Sequence, residues 1–186
     1  MGKERTKKLV LSAMFMAIGL VLPFFTGQIH AIGKMLLPMH IPVLLCGLIC
    51  GWPYGLVVGF ILPLFRSLLF SMPVMYPNAI GMAFELATYG VVSGLLYKGK
   101  KGTGRLYKSI IISMVSGRIV WGVAKGILLG MSGETFTLSM FVQVALFEAI
   151  PGIIIQMVLI PVVVSSLEYS KRRKEEKENE KVSVQK

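Results

Sequence analysis

Six apolar runs, separated by short stretches of Gly, Pro, Lys and Arg, organise the chain. They cover 8–25, 40–51, 55–70, 79–97, 109–131 and 136–167. Each is predicted as a membrane helix, since a span takes about 20 mostly apolar residues. Trp52-Pro53-Tyr54 predicts a tight turn between the second and third runs, because proline lacks the amide that a continuing helix needs. Pro73 and Pro77 mark 71–78 as a loop. The last run is too long for one straight crossing, and Pro151 and Pro161 predict bends in it. The fold class expected is all-α, an integral membrane bundle of about six transmembrane helices. Residues 1–170 make one membrane domain, and 171–186 a charged, cytoplasmic tail with too little to bury, expected to be disordered.

Composition agrees. Of 186 residues, 54% are hydrophobic and 16% charged, with mean hydropathy +0.71, whereas about a quarter of a soluble domain is charged. The net charge of +11 raises nucleic acid as a partner, but its distribution points to topology. Lys3, Arg5, Lys7 and Lys8 precede the first run, Lys98, Lys100, Lys101, Arg105 and Lys108 crowd one loop, and Lys171, Arg172, Arg173 and Lys174 follow the last run. An even number of spans puts all three clusters on one side, and the retention of Lys and Arg makes that side cytoplasmic. No aromatic or polar readers interleave with them, as a nucleic-acid surface needs. The first run lacks a small-x-small cleavage site and is read as a retained span. Cys46 and Cys50 lie inside an apolar run, which argues against a disulfide framework.

Ionisable residues inside the runs change the picture most. Arg66, Glu85, Arg118, Lys125 and Glu148 each cost about 2.5–3.5 kcal/mol at the centre of a membrane helix unless something compensates. From the helical rise, Arg66, Lys125 and Glu85 lie roughly 8–10 Å from the outer ends of their spans, and Arg118 and Glu148 roughly 18–20 Å. A water-accessible pocket open to the outside accounts for that clustering. Arg118, Trp121, Gly122 and Lys125 share one helix face, a ridge suited to an anionic or aromatic ligand. Arg118 and Lys125 pairing with Glu148 and Glu85 as structural ion pairs is the alternative. Three cations against two carboxylates leave a positive charge for a ligand carboxylate or phosphate. Asn78, Thr88, Tyr89 and Gln143 add hydrogen-bonding edges. A proton-relay role for Glu85 or Glu148, in an autonomous ion-coupled carrier, is the competing function.

Other chemistries find little support. His30 and His40 have no Asp, Glu or His at ligand spacing, and there is no phosphate-binding glycine loop. The expectation is no enzyme, no metal and no cofactor, with ATP-driven work left to a partner. Gly47, Gly51, Gly55 and Gly59 recur every fourth residue, as do Gly122, Gly126 and Gly130. Such spacing lets membrane helices approach closely, within the chain or against another protein.

Ala13-Met14-Phe15-Met16-Ala17 on the first span, Leu37 to Gly47 running into Gly51-Trp52-Pro53-Tyr54-Gly55, Phe65-Arg66-Ser67-Leu68-Leu69 and Ala83 to Gly90 together resemble the substrate-capture subunit, or S component, of energy-coupling factor vitamin transporters. The resemblance covers nearly the whole chain. It implies a high-affinity vitamin binder in the bacterial plasma membrane. Its partners would be a membrane coupling subunit and two cytoplasmic ATPase subunits. Pocket positions would be Arg66, Asn78, Glu85, Tyr89, Arg118, Trp121, Lys125, Gln143 and Glu148. Ala13 and Ala17 would dock on the coupling subunit, with Gly47, Gly51 and Gly55 adding to that face. Riboflavin members carry an Asp-rich stretch before the second span, where this chain has Leu37-Pro38-Met39-His40. Cobalt and nickel members use an N-terminal Met-His, whereas Met39-His40 is internal. The cationic excess favours a small anionic vitamin, pantothenate first and folate-like compounds next.

Overall fold

The computed structural model describes residues 2–25, 38–99, 102–144 and 149–184. These form α1 (Gly2–Phe25), α2 (His40–Cys50), α3 (Trp52–Phe70), α4 (Ile80–Leu96), α5 (Thr103–Met131), the short α6 (Leu138–Val142) and α7 (Ile150–Val184), with no strand among the described residues. A wide π-type turn, Met75–Ala79, leads into α4 and is interrupted at Tyr76, whose backbone is extended. Five segments are long and apolar enough to cross a membrane, ending at Phe24, Phe70, Leu96, Met131 and Ser170.

The expected second crossing is different. α2 has 11 residues, which span roughly 16 Å, about half of a hydrocarbon core of about 30 Å. Ten of its residues are buried, so it is a central peg inside the bundle rather than a lipid-facing helix. Its shortness matters for the site, because its first residue, His40, lies at depth. The chain then reverses at Gly51, whose φ of +101° suits glycine alone. Trp52 already begins α3, so the reversal comes one residue before the predicted Trp52-Pro53-Tyr54 turn. Pro53 sits in the first helical turn, where its missing amide would have had no partner anyway.

Small residues seal α2 and α3 onto α4. A Cβ at Gly90 would stand 2.2 Å from the Gly55 carbonyl oxygen, one at Gly59 2.4 Å from the Leu86 oxygen, and one at Gly47 2.3 Å from Ser93 Oγ. Gly47 and Gly55, expected to add to a docking face, are buried against α4, and Gly51 serves the reversal. On α1, Ser12, Phe15 and Gly19 face the bundle while Ala13, Met14, Ala17 and Ile18 are exposed. The lipid-facing side of α5 is a line of exposed Ile111, Val115, Ile119, Val123 and Ile127.

α4 and α5 run antiparallel, with Ser109 Oγ donating to the Ser93 carbonyl at 3.0 Å near one end and Lys125 Nζ donating to Asn78 Oδ1 near the other. α7 faces inward with Gln156, Ile160 and Val164, one stripe at i, i+4 and i+8. At the Tyr97 end of the bundle, Tyr97 donates to Glu168 Oε1 at 3.0 Å and Arg105 Nε to the Leu96 carbonyl at 2.8 Å. Over the last run the described residues give α6 and α7, with Pro151 in the first turn of α7 and Pro161 inside that continuous helix. The tail expected to be disordered continues α7 to Val184.

Candidate functional site

Glu85 lies one turn and a half into α4, at 1% exposure, and three side chains from three helices reach one of its oxygens. Tyr89, one turn on, donates its hydroxyl to Oε1 at 2.9 Å. From α5, Arg118 Nη1 lies 3.2 Å from the same oxygen. From the start of α2, His40 Nε2 comes within 3.4 Å, without the geometry of a hydrogen bond. The His40 and Tyr89 rings are 5.2 Å apart. Tyr89 in turn rests on Gly117, where a Cβ would stand 2.0 Å from its ring.

The predicted ridge of α5 meets α4 rung by rung. Arg118 pairs with Glu85, the Trp121 ring would stand 3.8 Å from a Cβ at Gly81, and Lys125 reaches Asn78. The first rung is buried and the last is open, so exposure rises toward the Tyr76 end. There Ser132 Oγ donates to Tyr76 Oη at 2.9 Å, and Tyr76 donates to the Leu128 carbonyl. Trp121 is stacked on Phe141 at 6.3 Å and meets Phe136 edge-on at 6.1 Å. These rings form an aromatic wall between the rim and the buried layer.

Of the residues expected in the pocket, Asn78, Glu85, Tyr89, Arg118, Trp121 and Lys125 come together along the α4–α5 seam. Arg66 lies elsewhere. It donates to the Leu20 carbonyl, and its guanidinium sits 5.0 Å from the Phe24 ring and 5.4 Å from the Phe70 ring, tying α3 to α1. Gln143 is exposed beside α6, in a shallow groove with Leu138, Ser139 and Val142. Glu148 lies outside the described residues.

Two buried polar residues escape the sequence reading. His40 has its acidic neighbour on another helix, which no local spacing reveals. Gln156, at 0% exposure, interrupts the run Ile153-Ile154-Ile155-Gln156-Met157-Val158. The sequence does carry a signal for it, since an uncharged polar group in an apolar run also needs a partner.

Among the described residues, five buried side-chain polar atoms have no hydrogen-bond partner: Nδ1 and Nε2 of His40, Nη2 of Arg118, and both amide atoms of Gln156. Each costs about 1–3 kcal/mol if left so. Unmet hydrogen-bonding capacity at the foot of a polar seam suits reception of a polar solute.

A family model described as the substrate-specific component of ECF transporters matches residues 7–167. No curated protein and no solved structure matches the chain.

Proposed function

Because this chain belongs to the substrate-specific components of ECF transporters, we propose that it captures a small water-soluble vitamin at the Tyr76 end of the bundle and holds it over Glu85, Arg118, His40 and Tyr89. The observation that carries this reading is the buried Glu85–Arg118 pair, with Arg118 Nη2 and both His40 nitrogens beside it making no hydrogen bond among the described residues. Glu85 neutralises the cation and fixes its orientation, while the remaining donors are held ready for a solute. Preorganised donors of this kind reduce the ordering cost of binding.

Pantothenate is the proposed substrate. Its carboxylate suits the rim, where Lys125 supplies positive charge next to Asn78. Its hydroxyls and amide suit the deeper layer of Arg118 and His40. The count of three cations against two carboxylates carries less than the sequence implies, because Arg66 is engaged with Leu20 and Arg118 with Glu85. The choice rests on the hydrogen-bonding groups of the rim and the deeper layer.

The Tyr76 end is proposed as the outer face. Lys98, Arg105 and Lys108 flank the opposite end, as does the basic start of α1, whose Ser12 meets Cys46 near the Gly51 reversal. Basic residues are retained in the cytoplasm. Delivery inward is assigned to a membrane coupling subunit and two ATPase subunits, in the bacterial plasma membrane.

Reconstitution tests the proposal. The purified chain in liposomes should bind radiolabelled pantothenate and move none of it until coupling subunit, ATPases and ATP are added. Uptake by the lone chain under a pH gradient would replace this reading with an ion-coupled carrier. A chain that binds no vitamin would end the capture role.

A further inference from the structure

We infer that Gln156 on α7 reads the captured solute directly, and that the solute presents an amide, lactam or ureido group to it. The inference rests on the capture role proposed above and adds a residue and a ligand chemistry to it.

Depth places Gln156 in the layer of Glu85. Tyr97 and Glu168 are hydrogen-bonded at 3.0 Å, which levels α4 and α7 at that end. Glu85 lies twelve residues before Tyr97 and Gln156 twelve residues before Glu168, so both stand roughly 18 Å above the contact. The two helices point the same way, because Gln156, Ile160 and Val164, all 2% exposed or less, line the bundle above Glu168. α7 packs against α2 and α5, the helices that carry His40 and Arg118. The unpartnered atoms of His40, Arg118 and Gln156 therefore belong to one level of the bundle.

Chemistry selects the ligand group. A carboxamide offers a donor and an acceptor side by side, and here neither has a hydrogen-bond partner among the described residues. A carboxylate would satisfy only Nε2, and a cation only Oε1. An amide-type group supplies both complements. A purely structural Gln156 has no comparable rationale, since methionine would fill the same volume without an unmet polar group.

Gln156→Met in the full-length, detergent-solubilised chain tests this. Without added vitamin, its melting temperature should equal or exceed that of the wild type, because an unmet amide has been removed. A clear fall would overturn the inference by revealing a structural partner. Binding is then measured with pantothenate, biotin, riboflavin and folate, which carry the proposed groups, and with thiamine and pyridoxine, which do not. Wild type should bind a member of the first set, and Gln156→Met should weaken that binding about tenfold or more. Equal binding by both proteins overturns the role of Gln156 and leaves the capture role standing. Binding of thiamine or pyridoxine alone overturns the ligand chemistry. Binding of none overturns the capture role and this inference together.

Discussion

Arg118 and Glu85 stand 3.2 Å apart in a layer that leaves Glu85 2% and Arg118 12% of its side-chain surface. Removing one member of such a pair strands the other, at a cost of about 3–5 kcal/mol. Arg118→Met should therefore lower thermal stability strongly and abolish vitamin binding. Combining it with Glu85→Gln removes both charges and should restore most of the stability. Binding should not return, because Arg118 also supplies an unpartnered donor to the site. Full recovery of pantothenate affinity in the double variant would assign the pair to structure alone.

Arg66 gives the opposite expectation. Its guanidinium is held by the Leu20 carbonyl between Phe24 and Phe70, where a cation–π contact is worth about 0.5–2 kcal/mol. Arg66→Met should loosen α1 from α3 and lower the melting temperature, while changing vitamin affinity less than about twofold. A large loss of affinity at unchanged stability would return Arg66 to the pocket.

The contrast between these arginines shows how far the sequence was legible. Apolar runs located five membrane-length helices, because lipid imposes a length and a composition on any span. The ridge of Arg118, Trp121 and Lys125 was legible because helical periodicity alone fixes which residues share a face. Periodicity does not say which helix that face meets. Arg66, equally charged and also set in an apolar run, turns to α1 rather than to Glu85. His40 enters the site because α2 is too short to span the core, and its acidic neighbour Glu85 lies on another helix, which no local spacing reveals. Glycine spacing announced close contact, and Gly47 and Gly55 make theirs with α4.

Gly117 should act on binding through Tyr89. A Cβ there would stand 2.0 Å from Tyr89 Cε1 and 2.3 Å from Cδ1, and a packed aromatic ring has little room to yield. Gly117→Ala should displace the phenol from Glu85, costing about 1–3 kcal/mol of stability and weakening vitamin binding. In a Tyr89→Leu background the same change should cost much less, since the obstructed ring is gone. Equal costs in both backgrounds, measured by thermal unfolding, would show that Gly117 works independently of Tyr89.

Ala13 and Ala17 are exposed on α1 beside Met14 and Ile18, whereas Gly90 is pressed onto the Gly55 backbone. Bulk should therefore do different things at the two places. Gly90→Val has no space to enter and should disrupt the α3–α4 seam, lowering stability and binding together. Ala13→Leu and Ala17→Leu add apolar volume to a face that touches nothing described in this chain, so melting temperature and pantothenate affinity should stay near wild type. If that face docks on the coupling subunit, small residues set how closely the helices approach, and the added bulk should reduce co-purification and ATP-driven uptake. Undiminished uptake in both variants would mean that α1 meets only lipid there, and the docking surface would have to lie on another helix.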